Sequence, residues 1–414
     1  MIKKCKNLLL IAIVLVLGLP IHHTNANSNQ NIELFSESAI LIDTETGDVL
    51  YEKDRDKIMY PASITKIVTA IIAIEEGNLE DIVTVSEKAR NQDGSRVYLL
   101  EGEKVTLQKL VQGLLINSGN DAGTAIAEHM NGSEKEFAKR MTAFVEKEIG
   151  TENTTFKNPH GLFDPEHVTT AEDMGKIARY AMKNETFREI VGTKEMEWIG
   201  EGWETTLYNH HRLLWDYEGA TGVKNGYVPE SGHTLVTTAE RNGKELLVVT
   251  LKAASKYYSY KDTMNLLDYG FLNFETVTVE KGKMISDAAG RDFMLTKDIQ
   301  VSKKSDEEIS LAVNNADQLI VKTGDRENIK EGVIVEQVKN EITPLASTEK
   351  TDKHESANQA ENQKSSFFSM GIFLVILFFI VWILGWNQKR RRRKKNQGRF
   401  SESVSYARRS KYYH

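Results

Sequence analysis

The sequence predicts an α/β body of the α+β kind, followed by a small β-rich domain and one C-terminal transmembrane helix. Three observations carry this. Two hairpin signals lie about two hundred residues apart, with helical stretches between them. One of those stretches is apolar on nearly every side. Near the chain end, twenty uncharged residues precede a basic block. The chain has 414 residues, 27% charged and 40% hydrophobic. That is too long for one ordinary domain and too hydrophobic for a disordered chain. A net charge of -6 gives no support to a nucleic-acid partner.

Residues 1–26 contain Lys3, Lys4 and Lys6, an apolar run from Leu8 to Leu19, and Thr24-Asn25-Ala26. This is the pattern of a signal peptide, with cleavage expected after Ala26. The apolar run is too short to span a bilayer. Cys5, the single cysteine, precedes that run, so neither a lipid anchor nor a disulfide is expected in the exported chain.

Residues 32–275 read as the α/β body. Ala39 to Ile42 and Val49 to Tyr51 flank Thr44-Glu45-Thr46-Gly47, a hairpin signal. Ile64 to Ile74 reads as a buried central helix. Leu107 to Ile116 and Ala122 to Met130 read as two helices with a break at Asn117 to Asp121, where Gly119 is expected to permit the turn. Ser133 to Glu136 is a capping box, opening a helix that stops near Gly150. Thr234 to Ala239 and Glu245 to Leu251 flank Arg241-Asn242-Gly243, the second hairpin. Helices on an antiparallel sheet follow.

Residues 276–345 lose helical periodicity and alternate, as in Val277 and Val279 or Ile309, Leu311 and Val313, so a β-rich domain is expected. Residues 346–366 carry no aliphatic side chain larger than Ala and read as a disordered tether. Residues 367–386 carry no charge, long enough as a helix for one hydrocarbon core. Lys389 to Lys395 is a run of basic residues, which orients a basic tail, 387–414, to the cytoplasm. The expected localisation is therefore the cell membrane, single-pass, with the catalytic domain extracytoplasmic. The charge divides accordingly into +3 for the leader, +10 for the tail and -19 for the rest.

The chemistry centres on Pro61-Ala62-Ser63-Ile64-Thr65-Lys66. Residues three apart share a helix face, so Lys66 can reach the Ser63 hydroxyl. That hydroxyl becomes a useful nucleophile only when a neighbour takes its proton. An amine can do so once burial or a second cation lowers its pKa. A helix start also offers free N–H groups to an oxyanion. The spacing alone is weak, since Ser347 and Lys350 repeat it in the tether. Ser118-Gly119-Asn120 in the helix break and Lys224-Asn225-Gly226 on an apparent strand supply the context. Three elements in this order form the set shared by class A β-lactamases and penicillin-binding proteins.

The sequence resembles the D-alanyl-D-alanine carboxypeptidases, the low-molecular-mass penicillin-binding proteins of peptidase family S11, over about residues 35–275. The resemblance rests on Ala39 to Asp43, Pro61 to Lys66, Leu115 to Ala122, Phe156 to Leu162, Thr170 to Asp173 and Leu266 to Phe271. It implies a serine β-lactamase/DD-peptidase-like fold and removal of the terminal D-Ala from peptidoglycan pentapeptides through a Ser63 acyl-enzyme. It also implies covalent inhibition by β-lactams and no metal or other cofactor. By the same resemblance Lys66 is the general base and Ser118 relays a proton to the leaving amine. Asn120 holds the substrate amide and Lys224 the substrate carboxylate. The oxyanion hole is then the N–H groups of Ser63 and Tyr227, beside Gly226.

One departure is Asn225, where the family has threonine. An Asn amide can donate to a carboxylate but is longer and differently aimed. A literal Lys322-Thr323-Gly324 lies in the second domain and is read as a decoy. Alternatives are a D,D-endopeptidase, a β-lactamase using Glu166 to hold its deacylating water, or a non-catalytic wall-binding protein. The expected partners are peptidoglycan stem peptides, β-lactams and the membrane. Asn158 to Gly161 is read as loop-shaping, His210-His211 as a surface pair, and Tyr257, Tyr258 and Tyr260 as packing.

Overall fold

The computed structural model describes residues 32–330, apart from 288, and the strand 335–337. The body runs β1 (Ser38–Asp43), β2 (Val49–Lys53), α1 (Lys66–Glu76), β3 (Ile82–Thr84), α2 (Glu87–Arg90), β4 (Lys104–Thr106), α3 (Leu107–Ile116), α4 (Asn120–Asn131) and α5 (Glu134–Phe144). It continues through α6 (Ala171–Ala181), α7 (Glu185–Gly192), β5 (Glu195–Ile199), β6 (Glu204–Tyr208), α8 (Leu213–Asp216), β7 (Ala220–Val228), β8 (Gly232–Arg241), β9 (Lys244–Ala253) and α9 (Lys256–Asn273).

The main sheet has the order β2-β1-β9-β8-β7, antiparallel throughout, with β7 at one edge. All six residues of β1 are buried because both sheet faces are covered. Strand alternation sorts them: Ile40 and Ile42 join the core under α1, α3 and α6, while Ala39 and Leu41 join Leu266 and Leu267 of α9. The β8–β9 turn has both Asn242 (φ 54°) and Gly243 (φ 79°) left-handed, as a two-residue hairpin of this twist requires.

Helix α1 is surrounded. Ile67, Val68, Ala70, Ile71, Ile72 and Ala73 are all fully buried, each large aliphatic contributing about 1.5–3 kcal/mol. No glycine or proline interrupts it, and Gly77 caps its end. The start of α5 shows the expected cap, with Ser133 accepting from the Glu136 N–H. The break between α3 and α4 corrects one expectation. The left-handed residue is Ser118 (φ 59°), whereas Gly119 has φ -61°. Gly119 is there for space, since a Cβ would lie 2.9 Å from Asp121 Oδ1 and 3.3 Å from the Gly113 carbonyl.

Beyond α9 the chain forms β10 (Glu275–Val279), β11 (Met284–Ser286), β12 (Asp292–Leu295), β13 (Ile299–Lys303), β14 (Ile309–Val313), β15 (Leu319–Thr323), β16 (Arg326–Ile329) and β17 (Val335–Gln337). These pair in small antiparallel sheets around Ile285, Phe293, Leu295, Val301, Leu319 and Val321. They clasp the β1–β2 turn. Lys330 Nζ lies 2.7 Å from Asp48 Oδ1, the Ser302 hydroxyl donates to Asp43 Oδ2 (2.8 Å), and the Val49 N–H donates to Asn328 Oδ1 (2.8 Å). Both aspartates are buried, so these partners keep their charges from being stranded.

The expected transmembrane helix is corrected here. Among the described residues no helix is long and apolar enough to cross a membrane, and 367–386 lies outside them. The single-pass cell-membrane localisation, the cytoplasmic tail and the membrane as a partner rested on that segment and are withdrawn with it. The leader 1–26, the tether 346–366 and the tail 387–414 also lie outside the described residues.

Candidate active site

Ser63 sits in a single 3₁₀ turn, Ala62–Thr65, that runs into α1. Ala62 is left-handed (φ 49°), an uncommon state for alanine that the surroundings must hold. Thr234 of β8 donates to the Pro61 carbonyl (2.9 Å). Gly161 (φ 88°) lies so close that a Cβ there would fall 1.9 Å from the Ala62 carbonyl oxygen. Two separate segments thus clamp the backbone just before Ser63.

Lys66 is completely buried and donates to Ser63 Oγ (2.9 Å) and to the His160 carbonyl (2.6 Å). Burial, reinforced by the Lys224 charge, pushes its ammonium well below the ordinary lysine value, with Asp121 acting in the opposite direction. Asp121 is itself buried and accepts from the Val97, Leu99 and Ala122 N–H groups. Desolvation still raises its carboxyl above the usual range.

Strand β7 brings the second lysine. Lys224 is 2% exposed, and burial lowers it to about 7. Its Nζ donates to the Asn225 carbonyl (2.9 Å). A Cβ on Gly226 would lie 2.7 Å from the Ser63 nitrogen, so β7 passes directly against the nucleophile and needs glycine there. Tyr227 follows, 56% exposed, its ring 4.6 Å from that of His233. Asn225 is half-buried, and its Oδ1 is buried without a partner among the described residues.

Asn120 opens α4 and Ser118 lies two residues before it in the break, both buried. Asn120 Nδ2 donates to the Asp93 carbonyl (2.6 Å), while its Oδ1 has no partner among the described residues. A buried acceptor without a partner is one that a bound N–H could satisfy. By contrast, Lys322 of the literal Lys-Thr-Gly is half exposed and paired with Glu327 (2.8 Å). Glu166, which a β-lactamase reading would need, is exposed and paired with Lys157 (2.8 Å).

Two residue pairs differ from expectation or were not singled out for it. His210-His211 is not a surface pair. His211 is fully buried, its Nε2 beside the Val236 carbonyl and Thr237 Oγ1. His210 feels Lys224, Lys256 and Lys66, and burial first, then these cations, lower it to about 4. The His160 carbonyl as a partner for Lys66 has no side-chain signature in sequence and was not foreseen. Asn158, as expected, shapes that loop: its Oδ1 accepts from the Gly161 N–H (2.7 Å) and its Nδ2 donates to Leu162 O (2.9 Å). Among the described residues, no group of His, Cys, Asp and Glu is arranged to hold a metal ion.

A serine facing a desolvated lysine at a helix start, with a second lysine on the adjoining sheet edge, defines the class of active-site serine acyl-transferases. Residues 24–255 match the D-alanyl-D-alanine carboxypeptidase family. The chain is 35% identical to D-alanyl-D-alanine carboxypeptidase DacF of Bacillus subtilis over 302 residues, covering 68% of this chain and 77% of that one. The crystal structure of D-alanyl-D-alanine carboxypeptidase DacD from Francisella tularensis superposes with a TM-score of 0.62 at 25% identity, covering 74% of this chain and 95% of that one. The Streptomyces K15 DD-transpeptidase gives a TM-score of 0.55 at 31% identity, covering 58% and 98%. The chain belongs to the D-alanyl-D-alanine carboxypeptidase family.

Proposed function

We propose that Ser63, Lys66 and Ser118 carry the chemistry of this protein, a serine-type D-Ala-D-Ala carboxypeptidase acting on peptidoglycan stem peptides and sensitive to β-lactams. The observation that carries the proposal is the buried Lys66 amine 2.9 Å from Ser63 Oγ. Burial and the neighbouring Lys224 charge favour the neutral amine of Lys66, the form that can accept a proton. It takes the Ser63 proton as Oγ attacks the carbonyl of the penultimate D-Ala. The tetrahedral oxyanion faces the N–H groups of Ser63 and Tyr227. Ser118 gives its hydroxyl proton to the nitrogen of the terminal D-Ala and takes the proton held by Lys66, the C–N bond breaks, D-Ala leaves, and Lys66 is a free amine again. Water then attacks the ester as Lys66 takes its proton, and that proton passes to Ser63 Oγ as the ester C–O bond breaks, restoring Ser63.

Lys224 and Asn225 serve the substrate carboxylate, and Asn120 Oδ1 takes a substrate N–H. A β-lactam enters by the same attack, and its ring opens without a group departing. The test is incubation with a pentapeptide ending in D-Ala-D-Ala, alongside a fluorescent penicillin. The proposal expects D-Ala release and one label per chain, both lost in Ser63→Ala. Release or labelling that survives Ser63→Ala would overturn it.

A further inference from the structure

The Lys66 amine is held from two sides, and one of them leads to a carboxylate outside the cleft. A neutral primary amine has two N–H bonds and one lone pair. One N–H is taken by the His160 carbonyl at 2.6 Å. That bond restricts how the amine can turn, so that the group facing Ser63 Oγ at 2.9 Å can change from the N–H of the resting site to the lone pair that takes the hydroxyl proton. A base misaimed by a fraction of an ångström loses much of its effect.

The carbonyl belongs to a residue whose ring is also fixed. His160 is 3% exposed. Its Nδ1 faces the Leu162 N–H at 3.3 Å and so must accept. Its Nε2 lies 3.2 Å from Glu134 Oε1 and must then carry the proton. Burial holds the imidazole below its ordinary value, so the ring is neutral with one defined tautomer. Glu134 opens α5 and is itself held: Thr124 of α4 donates to Oε1 (2.6 Å) and Lys88 of α2 lies 2.5 Å from Oε2. Burial opposes its charge, but the His160, Lys88 and Thr124 hydrogen bonds prevail and hold its carboxyl at about 2. The charged and titratable groups facing this pair are Lys66, Lys88 and His167. Gly123 of α4 completes the packing; a Cβ there would lie 3.5 Å from that of His160.

We propose that Glu134 is a positioning residue for the reaction. By fixing the His160 ring it fixes the His160 carbonyl, and that carbonyl aims the Lys66 lone pair at Ser63. The inference rests on Lys66 as the base. Glu134 touches no reacting atom, and it acts from the far side of the 158–162 loop, on a different helix from the nucleophile.

The experiment compares Glu134→Ala, Glu134→Gln and Lys88→Ala in the full chain. It reads kcat per penicillin-titrated site and KM on a D-Ala-D-Ala peptide. Glu134→Ala is expected to lose about tenfold in kcat with KM nearly unchanged. Glu134→Gln keeps an acceptor for Nε2–H and is expected within about threefold of the parent, and Lys88→Ala within about twofold. A Glu134→Ala protein with parental kcat per titrated site would overturn the proposal, as would Gln failing to rescue. Should Glu134→Ala not fold, the ¹⁵N shifts of His160 in the parent decide. A neutral Nε2–H ring at pH 7 supports the proposal, and an imidazolium or Nδ1–H ring overturns it. Because the ring is read without turnover, this separates failure of the proposal from failure of the Lys66 reading.

Discussion

Two runs of a lysine, one intervening residue and a glycine lie in this molecule, one inside β7 and one at the end of β15, and they have opposite surroundings. Lys224-Asn225-Gly226 lies on β7, with the lysine 2% exposed and the glycine packed on the Ser63 backbone. Lys322-Thr323-Gly324 closes β15, with the lysine in solvent against Glu327 and the glycine in a turn at φ 56°. The second matches the family spelling better but is half exposed and already paired. Desolvation separates them. A buried ammonium is pushed toward neutrality and its field reaches Lys66, whereas an exposed one is screened by water and its own counter-charge.

The largest expected effect comes from Lys66, the proposed base, whose amine Lys224 of β7 influences. Lys66→Ala should reduce penicillin acylation by about a thousandfold or more, read as the second-order labelling rate. The comparison itself is broken or kept by paired variants. Lys224→Ala should cost about a hundredfold in kcat/KM on a D-Ala-D-Ala peptide, while Lys322→Ala should cost nothing measurable. Equal losses in the two would undo the assignment.

A smaller effect tests the clamp that lets β7 meet the nucleophile. Gly161→Ala places a Cβ against the Ala62 carbonyl in a left-handed residue, and should lower stability by about 3 kcal/mol or more, measured by urea unfolding. The pH dependence of stability is a further discriminator. Lys224 is lowered to about 7 when folded, so between there and its unfolded value the native state binds fewer protons. Its contribution to stability therefore rises with pH from about 7 toward 10, and is at its minimum below that window. Lys224→Met should flatten this slope, and Lys322→Met should not. Asn225→Thr should produce the smallest change, a few-fold in KM, because an amide and a hydroxyl can both donate to a carboxylate.

Much of the body was legible in sequence because its signals are local. The Asn242-Gly243 turn, the largely apolar α1 and the Ser133 cap are fixed by the residues that spell them. Ser63 and Lys66 were legible as a pair because one helical turn sets their distance. What could not be read depends on contacts between distant segments. The His160 carbonyl is a backbone atom, so no residue type announces it. His211 was misjudged because its partners, Val236 and Thr237, lie on another strand. Ser118 took the left-handed role expected of Gly119, because the Gly113 carbonyl and Asp121 crowd the glycine instead.

The central claim is that Ser63, tuned by Lys66 and Lys224, is the acylated nucleophile. Mass spectrometry of the penicillin adduct tests it most directly. The account predicts one adduct per chain, on the peptide containing Ser63, in the parent and in Lys322→Ala, and a strongly slowed adduct in Lys224→Ala. An adduct on another residue, or one that forms at the parental rate without Lys224, would contradict it.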